Sequence, residues 1–165
     1  MGIDPDLRSA AVELIDLEGV LLDQKDWDAW LGLYTEDATY WIPAWDGDHE
    51  LTKDPDREIS LIYYPTGAGL EDRIFRLRTG HSLASTPLPR TVHLTSNHVV
   101  NEGADGSCEV RSNWSAHSYR LKKAHTFFGY QEHVLRQEVG RLRIASRKVV
   151  VANDLIPNLL DIYSV

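Results

Sequence analysis

TVHLTSNHVV (91–100), SCEVRSNWSAHSYRL (107–121), HTFFGYQEHVLRQEV (125–139) and LRIASRKVVVAND (142–154) are four β-rich runs separated by NEGADG, KKA and GR. Long runs joined by short polar connections predict hairpins, so residues 90 onward should form an antiparallel meander. In 107–119 one face would carry Glu109, Arg111, Asn113, Ser115, His117 and Tyr119, and the other Cys108, Val110, Ser112, Trp114 and Ala116. Neither is a plain aliphatic core stripe, and mixed polar and aromatic surfaces of this kind suit a wet protein interface with Trp, Tyr and Arg as anchors.

The first half reads differently. Asp4 and Pro5 form an N-cap and first-turn pair, after which Leu7, Ala10, Ala11, Leu14, Leu17 and Leu21 recur at helical spacing, predicting a helix over 5–23. Asp26 can cap a short second helix carrying Trp27, Trp30 and Leu31 and ending near LYTED (33–37). ATYWIPAW (38–45) reads as a strand confined by Pro43 to an edge or bulge, 46–58 as a charged surface loop, and ISLIYY (59–64) as a short strand. LEDRIFRLRT (70–79) has helical amphipathicity. Helices first and a curved antiparallel sheet afterwards give an α+β layout in one domain spanning 1–165, with helices covering the concave face.

Bulk properties restrict the partners. The 165 residues carry a net charge of -8, and no dense Lys/Arg face is evident, which argues against a nucleic-acid or anionic-membrane surface. No run of about 18 apolar residues and no leader pattern is present, and with Cys108 the only cysteine, a cytoplasmic protein is expected. The charges are segregated. Residues 36–58 hold eight acids against two bases and 120–148 eight bases against two acids, so the two regions could meet head to tail between copies or neutralise each other within one chain.

Metal and nucleophile chemistry find little support. His93 and His98 are five apart, a spacing that puts strand side chains on opposite faces, and Arg90 stands where a third, anionic ligand would be sought. The expected arrangement has Val92, Leu94 and Val100 toward the core, His98 near them, and His93 facing the other way. HExxH, paired-cysteine, Walker, GxGxxG and GxSxG motifs are absent. PTGAGLED (65–72) reads better as a turn than as an anion site. One catalytic possibility stands: a cone-shaped α+β domain can enclose an acid/base pocket, for which Tyr34, Asp37, Tyr40 and His98 are the candidates, as in a stand-alone isomerase or dehydratase.

LLDQKDWDAWLGLYTEDATYWIPAW (21–45), DPDREISLIYYPTGAGLEDRIFRLRTG (54–80), RTVHLTSNHVV (90–100) and NDLIPNLLDIYSV (153–165) together resemble the small (β) subunit of Rieske non-haem iron aromatic-ring-hydroxylating dioxygenases of the benzoate and anthranilate type. The resemblance implies a nuclear-transport-factor-2-like (SnoaL-like) cone and an α3β3 assembly with a β homotrimer. It also implies that this chain holds no cofactor, the Rieske [2Fe-2S] cluster and the mononuclear Fe(II) lying in the α subunit, where an aromatic acid is cis-dihydroxylated. The chain's part would be that of a non-catalytic scaffold. Trp41, Trp45, Tyr63, Tyr64, Arg73 and Arg76 are the expected interface anchors.

Overall fold

Asp4 caps the first helix, its carboxylate accepting from the Asp6 amide, and Pro5 opens α1 (Pro5–Gln24). The computed structural model describes residues 2–80, 87–103, 105–153 and 160–165. α1 buries Ala11, Leu14, Ile15, Glu18, Gly19, Leu21 and Leu22 on one stripe and ends at Lys25 in the left-handed region. Asp26 accepts from the Ala29 amide at 3.2 Å and starts α2 (Trp27–Leu31), which buries Trp27 and Trp30.

β1 (Tyr34–Pro43) begins four residues before the expected strand. LYTED therefore belongs to the sheet and not to the end of a helix. The Ile144 amide donates to the Leu33 carbonyl at 2.7 Å and Tyr34 pairs with Ile144, so a strand 110 residues away captures this segment. β2 (Ser60–Tyr64), α3 (Gly67–Thr79) and the four long strands β3 (Arg90–Glu102), β4 (Cys108–Arg120), β5 (Lys123–Glu138) and β6 (Arg141–Val151) follow. The sheet order is β2-β1-β6-β5-β4-β3. β3 to β6 form the antiparallel meander, whereas β1 joins β6 in parallel, so the sheet is mixed and not wholly antiparallel. α1 lies on the inner face over β3 and β6, and α3 packs against β1 and β2.

β3 departs from strict alternation. The pairing with β4 shifts between Ser96 and Val99, and Asn97 has φ 56. This one-residue bulge changes the phase, so Thr91, His93 and Thr95 face inward before it and His98 and Val100 after it. His93 and His98 are therefore on the same face. Val92 and Leu94, expected in the core, are both 56% exposed on the outer face.

Candidate functional site: a filled interior and an open outer face

The interior of the cone contains an ionic cluster. Glu18 sits in the apolar stripe of α1 and is 2% exposed. Its carboxylate accepts from the Tyr34 hydroxyl and from His133 Nε2 at 3.0 Å, and pairs with Arg147 Nε at 3.3 Å. Arg147 Nη2 also donates to Gln131 Oε1 at 2.9 Å and Nη1 to the Tyr40 hydroxyl at 3.3 Å, while Gln131 Nε2 donates to Ser112 Oγ at 3.1 Å. Burial alone would raise the Glu18 pKa, but the Arg147 charge, the His133 bond and charge, and the Tyr34 hydroxyl outweigh it and hold it at about 2.

His133 shifts the other way. Burial lowers its pKa against the pull of Glu18, and Arg147 adds repulsion. Nε2 is the natural donor to Glu18, leaving buried Nδ1 as a bare acceptor without a partner among the described residues. A neutral ring is cheaper there than an imidazolium with an orphan N–H. Burial and the Glu18 charge also push the Tyr34 hydroxyl well up, and burial raises that of Tyr40.

These groups leave almost no space. The cavity lined by Ile15, Glu18, Gly19, Trp114, Gln131, Arg147 and Val165 measures ≈ 10 Å³. That is about one water, whereas small-molecule pockets run from about 300 Å³ upward. Trp30, Tyr34, Tyr40 and Tyr64 pack in sequence beside the cluster with centroid separations of 5.0, 6.4 and 6.2 Å. Nor does the donor set suit a cation, because the Arg147 guanidinium already occupies the Glu18 carboxylate.

The seam between α1 and β3 holds the paired histidines. His93 Nδ1 lies 2.5 Å from Asp23 Oδ1 and its Nε2 is 3.1 Å from the Val165 main-chain oxygen. The Asp23 carboxylate also accepts from the His93 amide at 3.0 Å and from Thr91 Oγ1 at 2.9 Å. His98 faces Asp16 at 3.5 Å. Asp16 and Asp23 are two helical turns apart, about 10 Å along the axis, so the two histidines lie beside separate carboxylates, and only His93 is hydrogen-bonded to its own. Burial opposes ionisation of Asp23, but the bonds from His93 and Thr91 win and lower its pKa. Asp23→Ala is expected to cost about 1–3 kcal/mol by orphaning the buried donors around it. Because the folded pKa lies below the unfolded one, this contribution is present above the usual Asp value of 3.8 and fades as pH falls through the folded pKa. Urea titrations of parent and variant at pH 7 and pH 3 check it; an equal loss at both would refute the assignment.

The four residues considered for an acid/base pocket do not converge. Tyr34 and Tyr40 are buried in the cluster, His98 lies on the α1 seam, and Asp37 is exposed, held by Arg136 Nη2 at 2.8 Å. The Arg136 hydrogen bond keeps the Asp37 carboxyl at about 2. Glu18, Gln131, His133 and Arg147 were not singled out from sequence. The available signal was Glu18, an acid four residues after Leu14 and three before Leu21 in an otherwise apolar stripe.

Among the described residues no helix covers the outer face of the sheet, and this face carries one row across all six strands. Paired residues run Val99, Arg111, Glu132, Lys148, Trp41 and Tyr63. Arg111 lies 3.8 Å from Glu132, Lys148 lies 4.0 Å from Glu132, and the Lys148 ammonium stands 5.0 Å from the Trp41 ring centre. Trp41 and Tyr63 thus share this face, and Trp41 Nε1 donates to Ser60 Oγ at 2.9 Å. Trp45 donates to the Val151 carbonyl at 2.7 Å, Tyr64 packs inward on Tyr40, Arg73 is engaged by Asp161, and Arg76 is exposed beside Asp72 at 3.5 Å.

The chain has close relatives among proteins of known name. It is 43% identical over 154 residues to the 2-halobenzoate 1,2-dioxygenase small subunit of Burkholderia cepacia, covering 93% of each chain. The crystal structure of the benzoate 1,2-dioxygenase β subunit from Burkholderia mallei superposes with a TM-score of 0.80 at 37% identity, covering 100% of this chain and 99% of that one. An NTF2-like protein from Novosphingobium aromaticivorans, 15% identical with a TM-score of 0.64 and covering 91% of this chain and 84% of that one, shares the fold alone. The sequence model described as ring hydroxylating beta subunit matches residues 18–158, and the chain belongs to that family.

Proposed function

We propose that this chain is the non-catalytic β subunit of a multicomponent dioxygenase that cis-dihydroxylates an aromatic acid of the benzoate type in the cytoplasm. The Rieske [2Fe-2S] cluster and the mononuclear Fe(II) would reside in a partner α subunit, within an α3β3 hexamer built on a β homotrimer. The filled interior carries the reading. With Glu18, His133 and Arg147 bonded to one another around ≈ 10 Å³ of space, the buried cluster between α1 and the sheet has no room for a substrate among the described residues. The relatives named for halobenzoate and benzoate support the substrate class. Among the expected anchors, Trp41 and Tyr63 on the outer face and Arg76 on α3 are the ones best placed to meet a partner.

Co-expression with a neighbouring gene whose product carries Cys-x-His and Cys-x2-His motifs tests this. The expected result is one co-eluting complex in which iron tracks the larger subunit, with turnover of benzoate-type acids only when that subunit and a reductase are present. Turnover by the solitary chain, or failure to co-elute, would refute the reading.

A further inference from the structure

Segment 160–165 spans the concave face of the sheet from one side to the other. Near its start Arg73 of α3 binds the Asp161 carboxylate, with Nε 2.9 Å from Oδ1, and α3 lies over β1 and β2. Four residues on, the Val165 main-chain oxygen meets His93 Nε2 of β3, the strand at the opposite edge of the sheet. Between these two ties a 3-10 turn (Ile162–Ser164) passes over β4.

The turn closes on itself. The Ser164 amide donates to the Asp161 carbonyl at 2.8 Å and the Ile162 amide to Asp161 Oδ1 at 2.7 Å. Ile162 and Val165 are 0% exposed, and Val165 walls the ≈ 10 Å³ cavity beside Glu18 and Arg147. The segment thus lies in the interior without being a strand of the sheet, and a piece that packs by its side chains can lift as a unit while the ladders stay intact.

The His93 contact sets a condition on that packing. Nδ1 lies 2.5 Å from Asp23 Oδ1, on a carboxylate that also accepts from the His93 amide and Thr91 Oγ1, so Nδ1 carries a proton and donates. The Val165 oxygen opposite Nε2 is an acceptor as well. Both bonds exist only when the ring holds two protons, because a neutral ring bonded to Asp23 turns its Nε2 lone pair toward that oxygen. With the side chain 5% exposed, water does not relieve the confrontation. The ring is also fixed from behind, since α1 passes so close that a Cβ on Gly19 would lie 3.0 Å from His93 Cβ. When the second proton leaves, the segment has to give way.

Other charges near the ring have partners of their own. Glu18 of α1 is paired with Arg147 of β6, and Asp161 of the segment, which also carries Tyr163, is paired with Arg73. Asp16 of α1 faces His98 of β3 at 3.5 Å, and β4 presents Trp114 and Ala116 on this side. His98 is therefore the group to separate from His93 by experiment.

We propose that segment 160–165 is a proton-operated strap: a doubly protonated His93 clasps it across the concave face, and loss of the Nε2 proton releases it. Closure takes up one proton, so the released fraction grows as pH rises, by at most about tenfold per pH unit. Release removes the wall that Val165 forms, and water then reaches the ion pair of Glu18 and Arg147.

Methyl NMR of the full chain from pH 6 to pH 9 reads the strap through Ile162 and Val165, with Ile42 and Ile144, buried on β1 and β6, as references. The Ile162 and Val165 signals should move together toward the positions of exposed residues as pH rises, while the references stay. Nitrogen spectra of the His93 ring should show both nitrogens protonated at the closed end of the titration. His93→Gln should abolish the pH dependence and His98→Gln should keep it. Strap signals that stay put in the parent, references that move in step with them, or a response that persists in His93→Gln would overturn the proposal. So would loss of the response in His98→Gln, which would assign the proton to the neighbouring histidine. The ring spectra need no substitution, so they decide even where His93→Gln does not fold: a ring with a single proton while the strap is closed would overturn the clasp.

Discussion

Arg147→Met is expected to destabilise the fold by about 3–5 kcal/mol at pH 8, lowering Tm by roughly 10 °C or more. The substitution conserves much of the side-chain volume but leaves the Glu18 carboxylate, 2% exposed, without its compensating charge. It also removes the donors to Gln131 and Tyr40. Glu18→Gln added to Arg147→Met should recover at least half of the loss, because the charge that could not be neutralised is then gone. If Arg147→Met melts with the parent, or if the second change makes matters worse, the cluster is not held together by charge.

The pH dependence of the parent has a defined sign. Glu18 sits at about 2 in the fold against 4.5 in an unfolded chain, so its contribution is full above pH 4.5 and is lost as pH falls toward 2. His133 is also lowered in the fold, so the unfolded chain takes up its proton first and stability begins to fall below about pH 6.5. Both act in the same direction, giving an acid-labile protein. In Arg147→Met, protonation of His133 can supply the missing charge beside Glu18. The stability gap between variant and parent should therefore narrow from pH 8 to pH 6, and a gap that widens would contradict the assignment.

Much of the architecture was legible because it is local. Asp4-Pro5 and the leucine spacing define α1 to within one residue, and the connections NEGADG, KKA and GR mark the three hairpins. The parts that were not legible depend on residues far apart in the chain. Tyr34 joins the sheet because Ile144 captures it, and Glu18 is tolerated in the core because His133 and Arg147 arrive 115 and 129 residues later. β3 shows a different limit: a single left-handed residue, Asn97, reverses which side chains face the core. Alternation predicts faces only while the ladder is unbroken, and the valines and leucine of 92–100 gave no sign of the break. The charge runs were visible in sequence, but their division was not, since Arg136, Arg143 and Arg147 serve the fold while Lys122 and Lys123 remain on the surface.

Gly129→Ala should cost about 3 kcal/mol or more, the upper end of what overpacking costs, while Gly32→Ala should be neutral or stabilising by about 0.4–1 kcal/mol. A methyl group on Gly129 would lie well inside contact distance of the Val150 carbonyl oxygen, 3.0 Å from the Val150 carbonyl carbon and 3.2 Å from the Ala152 nitrogen. All three are backbone atoms, so no rotamer change can relieve the clash and β5 must part from β6 at this point. The Ala152 amide donates to the Phe128 carbonyl at 2.7 Å across the same point, and that bond would be strained or lost. Gly32 has right-handed helical geometry, φ -63 and ψ -15, and a methyl there meets nothing nearer than 3.4 Å. The same atoms are added in both variants, so the opposite signs isolate space from conformation. Urea unfolding of the two variants decides it: equal midpoints would mean that β5 and β6 can separate at Gly129 without penalty.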